Sequence, residues 1–411
     1  MPSFASDHYP RENPEAEEAI DDFLSSARLG KGPWDSQRRL LEQSPIYYSH
    51  RRNMWYVTGY NANEEILKSP SAQLQLDKRM DSIHPEWREH YSISKLTRWI
   101  AFLDGDAHKK VRLPLNTSFT PQKVEALRAG IRKKSQDLVA SYIESGGGSF
   151  PDAVAYPIAE STLCEVFDFD ISRIPDCRKL VNEMQLAFEI DVTPEQMEKA
   201  DSASIEFHRF WHREYEDIAK NPELKKDIFT QLLDDPAYSV EEVAELAESI
   251  FSGGFDSTAL TMTTGLWILL QFPEEIEKAR KNPQLLERLP DEVLRMSSTI
   301  SMTIRIAVDD ILVQDAIIRK GDLIGLLLGA ANRDPEIFPD PHNMDLSRPQ
   351  RRGLAFSTGA HACLGKWVAR MEIYEVLKYL IQNTKEIVLN NGTIRERQSV
   401  RGVEELDLSV R

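Results

Sequence analysis

Three groups of residues in this sequence have the types and spacing that chemistry needs: a cysteine framed by glycines, an acid beside an alcohol within a glycine-interrupted helix, and a scatter of histidines and arginines at helical spacing. The cysteine lies in Phe356-Ser357-Thr358-Gly359-Ala360-His361-Ala362-Cys363-Leu364-Gly365, and an amphipathic pattern, Lys366-Trp367-Val368-Ala369-Arg370-Met371-Glu372-Ile373, follows at once. A cysteine at a helix start meets free backbone N–H groups and the positive end of the helix dipole, which favour the thiolate over a thiol of ordinary pKa about 8.5. Such a thiolate can bind iron. Glycines on both sides let the backbone approach a flat ligand and aim amides at the sulfur. The acid and alcohol lie in Ser252-Gly253-Gly254-Phe255-Asp256-Ser257-Thr258, where two adjacent glycines cost a helix about 1 kcal/mol each relative to alanine, so something must compensate. His208 and His212, with Glu206 nearby, have the spacing of two zinc ligands, but a zinc site needs a third and none converges on them.

The order Phe356, Gly359, His361, Cys363, Gly365 is similar to the cysteine-loop signature of the cytochrome P450 family. Five fixed residues coincide by chance in only about one chain of this length in 10⁴. The resemblance runs from near Pro45 to the C-terminus and implies a haem-thiolate protein with Cys363 as the iron ligand of haem b. Glu292, Arg295 and Arg348 resemble the family's glutamate-arginine-arginine triad, which holds the loop that presents the thiolate. His108 and Arg112, four apart on one helix face, together with Arg305 and His361, resemble its haem-propionate partners. Gly253 and Gly254 would let the long helix approach the cofactor and leave room for dioxygen, with Asp256 and Ser257 relaying protons. Most family members have threonine where Ser257 stands. A serine is freer at χ1, so the resemblance leaves the coupling of proton delivery to oxidation open here.

The elements that must place these groups are mainly helical. Ser239 and Glu242 have capping-box spacing, and Val243, Leu246, Ile250 and Phe251 continue a helix towards Pro273, on the order of 50 Å long. A second helix should run from Cys363 to about Gln382. Between Pro45 and Tyr60 aromatic and β-branched residues flank Arg51-Arg52-Asn53, a hairpin pattern, and short extended runs cover Ala307–Val313 and Ala316–Ile318. The expected fold is mainly α with a minor β-sheet lobe, the P450 fold with a long central helix over the haem, in one domain over 1–411 with 1–15 disordered.

The 411 residues carry a net charge of -16, which argues against general nucleic-acid binding, and the polar N-terminus has no signal-peptide pattern. No apolar run approaches the roughly 18 residues of a membrane span, and Cys164, Cys177 and Cys363 make an odd set unsuited to disulfides. A cytoplasmic monomer is the expectation. By resemblance the activity is insertion of one oxygen atom from O2 into a small to medium organic substrate, as in natural-product tailoring (secondary metabolism). Electrons would come from NAD(P)H through a separate ferredoxin or flavodoxin and its reductase, docking on a basic patch of Lys109, Lys110, Arg112, Lys366, Arg370, Arg351 and Arg352. A peroxide-driven peroxygenase and a haem-thiolate sensor are the alternatives. Pocket residues are expected in Ser82–Phe102, in a lid at Met184–Trp211, and at Phe255, Ala259, Thr299, Ile300, Met302 and Thr303.

Overall fold

The computed structural model describes residues 9–26, 32–83, 85–167, 169, 177–189, 192–221, 223, 229–349 and 351–411. From the N-terminus come α1 (Pro14–Ser26), α2 (Trp34–Gln43), the hairpin β1 (Ile46–Ser49) and β2 (Met54–Val57), α3 (Tyr60–Lys68), β3 (Ala72–Gln73) and α4 (Leu76–Ile83). The turn between β1 and β2 falls at Arg51-Arg52-Asn53 as the pattern indicates, with Asn53 in the left-handed region. Helices α5 (Tyr91–Leu96), α6 (Gly105–Asn116) and α7 (Pro121–Glu144) then lead to β4 (Gly147–Ser149) and α8 (Tyr156–Phe167). Next are α9 (Cys177–Met184), α10 (Pro194–Lys220), α11 (Val240–Leu269), α12 (Pro273–Lys281) and α13 (Leu289–Ser297). Strands β5 (Thr303–Ala307), β6 (Ile311–Val313), β7 (Ala316–Ile318) and β8 (Leu323–Leu326) precede α14 (Leu328–Ala331), α15 (Lys366–Asn383), β9 (Ile387–Ile394) and β10 (Val403–Val410).

The capping box forms at the start of α11: the Ser239 hydroxyl accepts from the Glu242 N–H, and the Glu242 carboxylate accepts from the Ser239 N–H. The helix stops at Leu269 rather than Phe272, because Pro273 opens α12 and residues 270–272 turn to meet it. Most of α11 is buried, against α8, α10, α13 and β10. It is the spine of the largest apolar core, which gathers α7, α8, α10, α11 and α15.

The main sheet has the order β1-β2-β8-β5-β3; β2 pairs parallel with β8 and the other neighbours are antiparallel. It packs on α3 as a second core. A three-stranded sheet, β4-β10-β9, and the β6–β7 ribbon complete the strands of the described residues. The expected run Ala307–Val313 is split, β5 ending at Ala307 and β6 starting at Ile311. Disorder over 1–15 is also corrected in part. Residues 1–8 lie outside the described residues, but Tyr9 stacks on Tyr48 with ring centroids 3.9 Å apart and donates to Asp322, and Ala16 and Glu17 are buried in α1. No helix among the described residues is long and apolar enough to cross a membrane.

Candidate active site

Cys363 follows the 3₁₀ turn Gly359–His361 and precedes α15, whose N-cap is Gly365. Its N–H donates to the Phe356 carbonyl at 2.9 Å, closing the loop on itself. Gly359 must be glycine: its φ is +74°, and a Cβ there would lie 2.3 Å from the Leu67 carbonyl oxygen at the end of α3. The loop is thus pressed onto α3. Cys363 has accessible surface, yet it lies so deep that desolvation is the largest influence on its thiol and raises its pKa. The Gly365 and Lys366 N–H groups and the charges of Arg112 and Lys366 pull the other way without overcoming burial. The amides at the helix start favour the thiolate while burial opposes it, and a bound metal cation would deprotonate a thiol in such a place. Cys177 is simply buried, its thiol pushed up by desolvation.

Glu292, Arg295 and Arg348, the residues that resemble the family's triad, lie together. Arg295 grips Glu292 with two hydrogen bonds of 2.8 and 2.9 Å, both side chains nearly fully buried. Arg348 joins by ion-pair distance, its Nε 3.3 Å from Glu292, without a hydrogen bond from that nitrogen. Arg295 also donates to the carbonyls of Asn332, Pro341 and Asn343, and Glu292 accepts from the Asp345 N–H. The winding loop that leads to Cys363 is hung from this triad.

His108, Arg112, Arg305 and His361 also converge. The His108 and His361 rings lie 4.2 Å apart, and Arg112 donates to the Ala362 carbonyl at 2.6 Å, beside Cys363. Burial, together with the His361 and Arg112 charges, pushes His108 down to about 4, so it is neutral at pH 7. Its Nε2 is buried without a partner, a donor prepared for an anionic group. His361 is 3.6 Å from Asp104. Sequence reasoning missed Arg79 on α4, a further deep guanidinium close enough to Arg305 to feel its charge; a lone arginine after a short strand carries no pattern that would have shown it.

The middle of α11 separates the two glycines. A Cβ on Gly253 would meet nothing within 4 Å, and this residue is exposed in a helix otherwise largely buried. A Cβ on Gly254 would lie 3.0 Å from Leu163 of α8, so that glycine serves helix packing rather than a ligand, which corrects the joint role expected of the pair. Ser257 donates its hydroxyl to the Gly253 carbonyl at 2.7 Å. Asp256, fully buried, accepts from Arg395 at 2.6 and 3.0 Å and from the Tyr156 hydroxyl at 2.8 Å. Nothing in the sequence pattern announced Arg395.

A thiol with accessible surface beside amide donors, a side-chain-free position on a buried helix, an orphaned imidazole nitrogen and several deep cations fit a flat, dianionic, iron-centred ligand. A profile of the family described as Cytochrome P450 matches residues 192–398. The chain belongs to the cytochrome P450 family. This P450 is 24% identical over 397 residues to the biotin biosynthesis cytochrome P450 of Bacillus subtilis, covering 95% of this chain and 99% of that one. It is 25% identical over 331 residues to 6-deoxyerythronolide B hydroxylase of Saccharopolyspora erythraea, covering 78% and 80%. Its fold matches the crystal structure of P450BioI in complex with hexadec-9Z-enoic acid ligated acyl carrier protein, with a TM-score of 0.87 and 24% identity over 94% of this chain and 100% of that one. It is a monooxygenase of the haem-thiolate type, with haem b and a cysteine ligand as the family's cofactor.

Of the pocket residues expected of this P450, Ile300 is 36% exposed and free to line a ligand space. Phe255 is packed on Phe251 and Tyr156, Ala259 is fully buried, Thr299 shares a 2.8 Å hydrogen bond with Thr261, Thr303 accepts from Arg305, and Met302 packs against the apolar cluster of α1, α2 and the hairpin. These are framework contacts. On α10, His208 meets Glu248 at 3.0 Å and Lys95 at 3.3 Å, Glu206 is exposed, and no group of metal-ligating side chains is found among the described residues. Lys95 of α5 further bonds Glu241 and Glu245 of α11 at 2.6 and 2.7 Å, so α5, α10 and α11 are joined by charge. The basic patch is smaller than expected. Lys109, Lys110 and Arg370 are paired with Asp106, Glu242 and Asp291, leaving Arg112, Lys366, Arg351 and Arg352 without a carboxylate among the described residues.

Proposed function

We propose that Cys363 would hold the iron of haem b as a thiolate and that this P450 inserts one oxygen atom from O2 into a small to medium biosynthetic intermediate. The observation that carries the reading is the Cys363 loop itself, with its sulfur ringed by the Gly365 and Lys366 amides and braced by Arg112 on the Ala362 carbonyl. Bound haem supplies the oxygen-activating and electron-accepting chemistry. The chain's own residues hold and orient it: the Gly365 and Lys366 amides and Arg112 temper the thiolate, and His108, Arg112, Arg305 and His361 face its propionates. Gly253 leaves a stretch of α11 uncovered by any side chain, and Ser257, once its hydroxyl turns from the Gly253 carbonyl, would carry a proton inward. Electrons come from NAD(P)H through a ferredoxin or flavodoxin. Its docking face is built from Lys366, Arg351 and Arg352 with the exposed apolar side chains of Leu113 and Trp367, 64% and 39% exposed. The biosynthetic names of the relatives support a natural-product or acyl substrate.

The test is the reduced, carbon monoxide-treated protein: the red-shifted band of a thiolate-bound haem is expected for wild type and its loss for Cys363→Ser. A wild-type protein without that band overturns the reading. A peroxide-driven reaction is the second reading, favoured by one observation: Asp256 and Ser257 both have their polar atoms engaged by the protein. Turnover with peroxide at a rate matching the ferredoxin-supported one would establish it.

A further inference from the structure

Two buried polar atoms of opposite kind sit at one aromatic cluster, and the protein satisfies neither. The turn after α5 closes through the Trp99 carbonyl, which accepts from the N–H groups of Phe102 and Leu103 at 2.8 and 3.1 Å, so Trp99 and Phe102 emerge from a single turn. Both rings meet Phe188, Trp99 at 6.2 Å and Phe102 at 5.8 Å between centroids. Phe188 ends the 3₁₀ turn Gln185–Phe188 that follows α9. Side chains three apart eclipse in a 3₁₀ helix, so Gln185 lies on the face that carries Phe188 towards Trp99. This turn is held from the far end of the chain, because Glu189 accepts from the Gln398 N–H at 2.6 Å and from the Ser399 hydroxyl at 2.5 Å. Trp99 and Gln185 are each 4% exposed. The Trp99 Nε1–H, a donor, and the Gln185 Oε1, an acceptor, are both buried without a hydrogen-bond partner among the described residues. Leaving a buried donor and a buried acceptor unmet opposes folding, and a core that needed only packing there would do better with apolar side chains of the same shape. The cluster adjoins open space and the cofactor site. Phe102 lines, with Gln73, Gln75 and Thr97, a cleft of about 250 Å³, and two residues on, Asp104 lies 3.6 Å from His361.

We propose that Trp99 and Gln185 form an uncharged polar subsite that binds a hydroxyl group on an otherwise apolar substrate. A hydroxyl accepts from the indole N–H and donates to the amide oxygen, so one group satisfies both atoms, whereas an ether leaves the amide oxygen unmet and a hydrocarbon leaves both. Phe102, Phe188 and the indole pack against the apolar part of the molecule. This subsite rests on the monooxygenase reading of the chain and names the polar handle its substrate carries.

The experiment uses haem-loaded wild type, Trp99→Phe and Gln185→Met, and measures by equilibrium dialysis the binding of two matched pairs of probes: decan-1-ol with 1-methoxydecane, and 2-naphthol with 2-methoxynaphthalene. Wild type is expected to prefer the alcohol of at least one pair by about ten-fold, the selectivity of one good hydrogen bond, and each variant to bring that preference to within about two-fold while binding the ether as wild type does. Without ligand, Gln185→Met should unfold at no lower urea concentration than wild type, since it removes an unpaired polar atom and keeps the side-chain shape. Gln185→Met decides alone if Trp99→Phe accumulates no haem. A preference below about two-fold in both pairs, or one that survives in Gln185→Met, overturns the proposal, and so does a lowered urea midpoint for Gln185→Met, which would mark a structural hydrogen bond. A wild type without the carbon monoxide band fails the haem-thiolate reading separately, since dialysis detects the probes without the iron.

Discussion

Replacing Arg395 by Met removes a side chain that is 1% exposed and leaves Asp256, itself 0% exposed, with the Tyr156 hydroxyl as its remaining donor. Breaking a buried ion pair from one side costs about 3–5 kcal/mol, because the surviving charge stays desolvated. The reverse substitution, Asp256→Asn, is milder. Arg395 keeps Glu404 at 3.2 Å, with Glu404 39% exposed and so partly screened, together with Asn182 at 3.4 Å and the Tyr156 oxygen at 3.2 Å. A cost of about 2 kcal/mol for Asp256→Asn and about 4 kcal/mol for Arg395→Met is expected, with the double variant close to Arg395→Met alone. The coupling is then about 2 kcal/mol. Urea denaturation of the haem-loaded proteins, followed by far-ultraviolet circular dichroism, measures all three. Additivity within about 0.5 kcal/mol, or a larger loss for Asp256→Asn than for Arg395→Met, refutes the reasoning.

Glu372 on α15 is raised by burial from 4.5 to about 8, so the folded protein holds a proton there that the unfolded chain releases. Its contribution is intact below pH 4.5 and is lost as pH rises towards 8; between pH 5.5 and 7.5 Glu372→Gln should gain up to about 3 kcal/mol on wild type by denaturation at the two pH values. Gly253→Ala should stabilise the protein by about 0.5–1 kcal/mol while weakening imidazole binding to the haem. Gly254→Ala, which meets Leu163, should leave imidazole affinity unchanged; equal effects on ligand affinity would show that the two glycines share a role. Ser257→Thr should raise the yield of product per NADH and lower peroxide release, since a β-branched hydroxyl has fewer rotamers; an unchanged yield means the serine is not the site of leakage.

What could be read from the sequence was local or carried by a spaced motif. The α11 start was legible because Ser239 and Glu242 sit three apart and close a box within one turn. Glu292, Arg295 and Arg348 were legible only through the resemblance, since three-apart glutamate-arginine pairs also occur at Glu125/Arg128 and Glu277/Arg280. Asp256 was legible as an acid on α11, but its partner Arg395 lies 139 residues away, brought in by the strand β9, and no periodicity encodes such a pairing. The division of labour between Gly253 and Gly254 was equally hidden, since it depends on where Leu163 of α8 falls. The Cys363 thiolate was expected from its helix start and flanking glycines, and the opposing effect of burial could not be read there because depth in the fold is set by distant elements.

The parallel pairing of β2 with β8 has a kinetic consequence. Trp55 and Asp322, joined by a 2.8 Å hydrogen bond across this part of the sheet, are 267 residues apart in the chain. Contacts of such separation form slowly, because chain entropy is lost before they give anything back. Strand β5, which carries Arg305, is held between β8 and β3 and so is positioned only when that pairing is made. The helical core can collapse earlier on its shorter-range contacts. During refolding, haem uptake should therefore follow helix formation with a lag, and the lag should report on the closing of this sheet rather than on the chemistry at Cys363.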